Sequence, residues 1–225
     1  MIDYRWCVFP PECEQPTSCI LVLPGRSQHG IELAKAWLRT EMQDTLVIAV
    51  TPYARQWYPQ PYSAVDQDEA VSGLPAARAA IEEVLETIER KYLVPRDKIA
   101  LVGFSAGGVM AIDVAVNSTR ELAGVVCHAG AVLEPWNIPM CRFVDMPIIT
   151  THCSDDDVFD WEERYLPMVE SLENTKYNLH TIENDWGGHG VDLEDILCGA
   201  KILAPRLGYS AEWLEMHRDL YRITQ

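Results

Sequence analysis

The stretch IALVGFSAGG, residues 99–108, decides the fold of this 225-residue chain. Its first six residues are an apolar run typical of a buried strand, and the apolar helical segment Ala106–Asn117 follows directly. The intervening G-x-S-x-G pattern predicts a sharp strand-to-helix turn with the Ser105 hydroxyl exposed above the sheet. Gly103 and Gly107 are expected because a Cβ at either position would collide with a neighbouring strand or helix. The stretch predicts a nucleophile elbow; a helix-entry turn without catalysis is the alternative.

Similar apolar runs alternate along the chain with segments of helical period. The predicted strands are Cys19–Pro24, Leu46–Val50, Ile99–Phe104, Gly124–His128 and Pro147–Thr151, followed by the extended segment Tyr177–Glu183. Their continuous apolar character favours a parallel sheet that is covered on both faces. The alternation predicts an α/β fold with an open, doubly wound, mostly parallel sheet, in a single domain spanning residues 1–225.

Four segments carry helical patterns: Ala76–Tyr92, Ala106–Asn117, Trp161–Leu172 and Ala211–Tyr221. In the first of them, apolar residues form one stripe, and Pro75 is expected in its first turn. Two irregular stretches, Thr51–Gly73 and Leu133–Met146, are long enough to be functional loops. Neither is long enough to form a separate lid domain.

The charge and the cysteines exclude several classes of protein. The chain has 34 acidic and 18 basic residues and a formal net charge of −16, which disfavours nucleic acid and anionic membranes as partners. No apolar run reaches membrane-spanning length, and residues 1–24 lack the pattern of a signal peptide, so no stable membrane insertion is expected. The seven cysteines form no CxxC pair, which favours reduced thiols and a cytoplasmic location.

A serine hydroxyl becomes a good nucleophile only when a nearby base takes its proton. His189 is the predicted base because it lies in the flexible loop Gly187–Gly190 after a late extended segment. The triplet Asp155–Asp157 follows a predicted strand and could hold the imidazole in place. The residues alone do not choose among the three aspartates. A metal site that combines the triplet with His152 or His189 is an open alternative.

The charge that develops on the attacked carbonyl needs two backbone N–H donors. One is expected at Ala106, directly after the nucleophile, and the other in the loop Pro24–Ser27 after the first predicted strand. No cofactor is expected for this chemistry.

These residues together resemble the phospholipase/carboxylesterase family of α/β-hydrolases, which includes acyl-protein thioesterases and small bacterial esterases. The family's GFSxGG elbow matches Gly103–Gly108, and its Trp-Tyr-Pro stretch matches Trp57–Pro59. Its first loop, usually His-Gly, is Pro24-Gly25 here, and the resemblance implies that Arg26 supplies the second oxyanion donor.

The acid and base segments extend the resemblance to residue 189. The family pattern His-Gly-x-x-Asp-x-x-Val aligns with residues 152–158, so the resemblance implies that Asp156 is the catalytic acid. Cys153 stands in place of the family's glycine, and Val158 falls one position early. His189 matches the family's late Gly-His pair.

The resemblance implies an α/β-hydrolase fold and a serine hydrolase that cleaves carboxylic esters of short to medium acyl chain, thioesters or lysophospholipids through an acyl-enzyme. Trp57 and Tyr58, with the neighbouring Pro59, Pro61 and Tyr62, are expected to wall an acyl pocket, and Trp136 is a weaker candidate. The expected partner is a small-molecule ester or thioester, and the expected state is a monomer or homodimer. A non-catalytic binding module, or a peptidase or acyltransferase with the same triad, remains an alternative.

Overall fold

A seven-stranded sheet forms the centre of the computed structural model, which describes residues 4–11, 13–59, 67–210 and 213. The strands are β1 (Tyr4–Phe9), β2 (Ser18–Leu23), β3 (Thr45–Pro52), β4 (Ile99–Phe104), β5 (Gly124–His128), β6 (Pro147–Cys153) and β7 (Asn178–Asn184). Their order is β1-β3-β2-β4-β5-β6-β7. β1 pairs with β3 in the antiparallel direction, and every other pair is parallel.

Helices cover both faces of this sheet. They are α1 (Gly30–Leu38), α2 (Gln67–Tyr92), α3 (Ala106–Asn117), α4 (Leu166–Asn174) and α5 (Leu193–Leu207). Buried side chains of α2, α3 and α4 pack on one face, and those of α1 and α5 pack on the other. The predicted doubly wound, mostly parallel sheet is confirmed. None of the helices in the described ranges is long and apolar enough to cross a membrane.

Each strand predicted from an apolar run is present, with ends that differ by at most a few residues. β1 was not predicted, because its sequence YRWCVF mixes polar and apolar residues, as suits a strand at the sheet edge. The predicted helix Trp161–Leu172 begins as a π turn over Trp161–Tyr165, and its α-helical part starts at Leu166. Apart from Trp213, the predicted helix Ala211–Tyr221 lies outside the described residues.

The expected position of Pro75 was wrong. α2 begins at Gln67, so Pro75 lies inside the helix, and the irregular stretch predicted to reach Gly73 ends before the helix starts. The apolar stripe explains the difference, because Ala70 and Leu74 bury their side chains on the same face as the later residues of the helix. This tertiary packing outweighs the helix-breaking tendency of a proline.

Candidate active site

Ser105 lies at the turn between β4 and α3, in a strained backbone conformation with φ of 54° and ψ of −121°. Its N–H donates to the His128 carbonyl at 2.8 Å, which ties the turn to β5. A Cβ on Gly103 would lie 2.1 Å from the Gly107 carbonyl oxygen, and a Cβ on Gly107 would lie 2.0 Å from that of Leu23. The predicted steric need for both glycines is therefore confirmed.

His189 is brought to Ser105 by the loop between β7 and α5. Its Nε2 lies 2.8 Å from Ser105 Oγ, so the hydroxyl can donate its proton to the ring. The rings of Phe104 and Phe159 flank the imidazole, with centroids 5.1 and 5.8 Å away. The imidazole side chain is 19% exposed, so part of the ring is accessible to solvent.

Asp156 follows β6 and is the aspartate of the triplet that contacts His189. His189 Nδ1 lies 2.9 Å from Asp156 Oδ2, and the Val158 and Phe159 amides donate to Oδ1 at 2.8 and 2.9 Å. Burial of this carboxylate would raise the pKa of Asp156, but the hydrogen bonds from His189 and from the two amides outweigh burial and lower that pKa. The carboxylate is held charged and can stabilise an imidazolium.

The other two aspartates of the triplet have different environments. Asp155 is exposed, and its oxygens accept hydrogen bonds from the amides of Gly187 and Gly188 at 3.3 and 2.7 Å. These two residues immediately precede His189, so Asp155 holds the loop that carries the imidazole. Asp157 is exposed and has no hydrogen bond to another described residue. The spacing of the triplet gave no indication of the Asp155 contact.

His152 is buried beside Asp156, with its Nε2 3.9 Å from Asp156 Oδ2. Nε2 donates to the Phe159 carbonyl at 2.8 Å, and the ring stacks on Tyr165 at 4.4 Å. A nitrogen that carries this proton is not a metal ligand. Within the described ranges, no group of three or more His, Cys, Asp and Glu side chains is arranged to hold a metal ion.

The loop after β2 lies directly against Ser105. A Cβ on Gly25 would be 3.2 Å from Ser105 Cβ, and a turn is closed by the hydrogen bond from Gln28 N–H to the Gly25 carbonyl at 3.2 Å. Arg26 lies within this turn, and its guanidinium donates to Gln56 Oε1 and to the Tyr58 carbonyl. Ala106 is the first residue of α3, where N–H groups have no intrahelical acceptor.

Trp57 and Tyr58 lie beneath this loop, with only 3% and 2% of their surfaces exposed. The Trp57 indole donates to the Pro24 carbonyl at 2.8 Å. The two rings therefore support the loop, and their expected contact with an acyl chain stays a prediction. Trp136 is 76% exposed in a short 3₁₀ turn, whereas Pro61 and Tyr62 lie outside the described residues.

An apolar groove of about 710 Å³ opens between α1 and α5. Phe104, Leu33, Val191 and Ile196 are among its lining residues. Because the Phe104 ring contacts the imidazole of His189, the groove begins beside the candidate base. This groove was not predicted from the sequence, because segments distant in the chain form it.

The model of the phospholipase/carboxylesterase family matches residues 43–189. This chain belongs to that family. The description of this family names the class of enzyme predicted from the sequence, a carboxylic ester hydrolase. Acyl-protein thioesterase 1 of Neurospora crassa is 24% identical over 162 residues, which cover 70% of this chain. The match spans 65% of that relative's length.

Solved structures share the fold of this phospholipase/carboxylesterase family member. Esterase PE8 has a TM-score of 0.80 at 17% identity, with 91% of this chain and 99% of that chain covered. A phospholipase/carboxylesterase from Dyadobacter fermentans has a TM-score of 0.77 at 17% identity, with 90% and 97% covered. Acyl-protein thioesterase 2 of Zea mays has a TM-score of 0.72 at 18% identity, with 91% and 99% covered. These likenesses confirm the predicted α/β-hydrolase fold.

Proposed function

We propose that this protein hydrolyses carboxylic esters and thioesters through a triad of Ser105, His189 and Asp156. The observation that carries the proposal is the unbroken hydrogen-bonded chain from Ser105 Oγ to His189 Nε2 and from His189 Nδ1 to Asp156 Oδ2. The strained turn at Ser105 and the buried, charged carboxylate of Asp156 support it.

Acylation begins when His189 Nε2 takes the hydroxyl proton as Ser105 Oγ attacks the substrate carbonyl carbon. Asp156 holds Nδ1 protonated, so Nε2 is the free base, and it stabilises the imidazolium that forms. The backbone N–H groups of Arg26 and Ala106 stabilise the oxyanion. Collapse of the tetrahedral intermediate breaks the bond to the alcohol or thiol, which leaves with the proton from His189.

Deacylation repeats the steps with water. His189 removes a proton from the water molecule as its oxygen attacks the acyl-Ser105 carbonyl, and the same two amides stabilise the second oxyanion. The carboxylic acid leaves, and the proton returns to Ser105 Oγ. No step requires a cofactor.

The substrate class rests on the family and on the shape of the site. Relatives named as acyl-protein thioesterases favour thioesters beside oxygen esters, and a short to medium acyl chain suits a site without a long insertion. All seven cysteines are free thiols, which supports a reduced, cytoplasmic location. Monomer or homodimer is the proposed state, and light scattering tests it.

The first experiment compares hydrolysis of p-nitrophenyl acetate, butyrate and octanoate by wild type and Ser105→Ala. We expect the variant to lose several powers of ten in kcat, because it lacks the nucleophile. Ser72→Ala, an exposed serine on α2, is the matched control and should retain wild-type rates. A fluorophosphonate should label wild type on Ser105. Equal inertness of wild type and Ser105→Ala, without labelling, would refute the proposed function and favour a binding module.

A further inference from the structure

A cavity of about 310 Å³ at the carboxyl end of β3 gathers positive charge in a strongly acidic chain. Arg5, His29 and Arg55 line it, together with residues 51–54. None of its described lining residues is an Asp or Glu, although the chain has 34 acidic residues against 18 basic ones. The composition therefore does not account for this cluster.

The two arginines of the cavity have no carboxylate partner among the residues that the structure describes. In the part of the chain that the structure describes, neither Arg5 nor Arg55 forms an ion pair. Elsewhere on the surface, Arg78 pairs with Asp113 at 2.8 Å, and Arg206 pairs with Glu121 at 2.5 Å. Guanidinium groups that form no ion pair with the described residues can bind an anion from outside the protein.

The amino end of α1 adds to the positive potential. His29 is the N-cap of α1, and its side chain makes no capping hydrogen bond. The nine-residue helix therefore begins beside the cavity. Its first N–H, that of Gly30, donates to Thr51 Oγ1 at 3.1 Å, and the helix dipole favours a negative charge at this end. Tyr53, whose surface is 74% exposed, also lines the cavity.

The cavity is connected to the candidate active site through the loop that contacts the nucleophile. The Ser27 N–H donates to the Arg55 carbonyl at 2.8 Å, and Gly25, two residues earlier, lies against Ser105. His29 lines both this cavity and the apolar groove that begins at Phe104. A single substrate can therefore contact both.

We infer that the Arg5–His29–Arg55 cavity binds an anionic group of the substrate, a carboxylate or a phosphate, at the far end of an apolar segment that lies in the groove. This inference rests on the proposed function, and it narrows the substrate class to amphipathic esters that carry a distal anion. The guanidinium groups form charge-assisted hydrogen bonds with that anion and fix the orientation of the ester at Ser105.

The test compares neutral and anionic esters. Neutral p-nitrophenyl butyrate is measured beside the mono-p-nitrophenyl esters of glutarate, adipate and suberate, which place a carboxylate at increasing distance on the acyl side. Butyrate esters of 4-hydroxybenzoate and of 4-hydroxyphenyl phosphate place a carboxylate or a phosphate on the leaving group. Wild type is compared with Arg5→Gln, Arg55→Gln and the double variant, and Arg90→Gln, an exposed arginine on α2, is the control.

Removal of either arginine should lower kcat/KM for the best anionic ester about five-fold, and removal of both about 25-fold. The rate for neutral butyrate and all rates of Arg90→Gln should stay within about two-fold of wild type. The difference in kcat/KM between anionic and neutral esters should become smaller at high salt, because salt screens the charges. The inference is wrong if the arginine variants lose rate equally for neutral and anionic esters. It is also wrong if the variants change the rate for no anionic ester, whether the anion is on the acyl side or on the leaving group.

A binding measurement separates failure of this inference from failure of the proposed function. Calorimetric titration with suberate and with inorganic phosphate requires no turnover, and the double variant should bind the anion that wild type binds at least ten-fold more weakly. If wild type hydrolyses none of the esters, the proposed function is refuted, and the titration alone shows whether the cavity binds an anion. Equal binding by wild type and the double variant, or none by wild type, would overturn the inference.

Discussion

Substitution of Asp155 should slow catalysis even though this side chain forms no hydrogen bond with Ser105 or His189. Its carboxylate accepts hydrogen bonds from the Gly187 and Gly188 amides at 3.3 and 2.7 Å, and these residues have φ of 137° and 61°. Two glycines with left-handed φ have many alternative conformations, so the loop depends on this carboxylate for its position. Each hydrogen bond contributes about 0.5–1.5 kcal/mol, and less where the carboxylate is exposed. Asp155→Ala should therefore remove roughly 1.4 kcal/mol of the free energy that holds the loop in its catalytic position.

That free energy corresponds to about a ten-fold lower kcat for Asp155→Ala, since 1.36 kcal/mol is a factor of ten in rate. KM should change little, because the loss arises from misplacement of the base. Asp155→Asn keeps an oxygen acceptor and should recover most of the rate. The assay is the steady-state hydrolysis of p-nitrophenyl butyrate, with thermal unfolding measured in parallel so that a folding defect is recognised.

The other aspartates of the triplet serve as internal references. Asp157→Ala should be indistinguishable from wild type, because Asp157 is exposed and has no hydrogen bond to another described residue. Asp156→Asn should lose about 10⁴ in kcat, since an amide cannot stabilise the imidazolium. The reasoning would be refuted if Asp155→Ala matched Asp157→Ala, or if Asp155→Ala lost activity only in proportion to unfolding.

Three other perturbations test the packing around the site. Gly107→Ala should lower the free energy of unfolding by more than about 3 kcal/mol, because the new Cβ would lie 2.0 Å from a β2 carbonyl oxygen. In the control variant Gly199→Ala, on α5, the new Cβ would have its nearest neighbour 3.3 Å away, so stability should stay within about 1 kcal/mol of wild type. Urea unfolding compares the two variants. Trp57→Phe removes the donor to the Pro24 carbonyl at 2.8 Å and should lower stability by about 1–2 kcal/mol and kcat several-fold, measured by unfolding and ester hydrolysis. Burial lowers the pKa of His128 from 6.5 to about 3. Between these two pH values the unfolded state therefore binds more protons than the folded state. Stability is greatest above about pH 6.5, and acidification lowers it by up to about 1.4 kcal/mol per pH unit. His128→Gln should flatten this slope when unfolding is measured at several pH values.

The parts of the fold that could be predicted from sequence are those with a strong local signal. Continuous apolar runs marked β2 and β4 because a strand buried on both faces has no polar positions. β1 lies at the edge, and its mixed sequence has no such signal. Pro75 was misplaced because the packing of Ala70 and Leu74, which keeps the helix continuous through the proline, is a tertiary effect.

In the candidate site, too, the residues that could be predicted are those with a strong local signal in the sequence. Ser105 and His189 follow from short motifs with a fixed relation to strands and loops. Asp156 was singled out from its neighbours by family resemblance, since three adjacent carboxylates look alike in sequence. The contacts of Asp155, the burial of Trp57 and the cavity lined by Arg5 and Arg55 depend on segments far apart in the chain. No pattern in the sequence reports such contacts.

The backbone conformation of Ser105 lowers the stability of every folded copy of the chain. A non-glycine residue with φ of 54° and ψ of −121° costs about 1–3 kcal/mol, in a domain whose whole margin against unfolding is about 5–15 kcal/mol. That cost is present whether or not substrate ever arrives. A glycine at position 105 would relieve this strain and raise the stability of the protein, and under the proposed function it would abolish activity. Selection for stability alone would therefore not keep a serine at this strained position, and the proposed role of Ser105 as the nucleophile would explain why it is there.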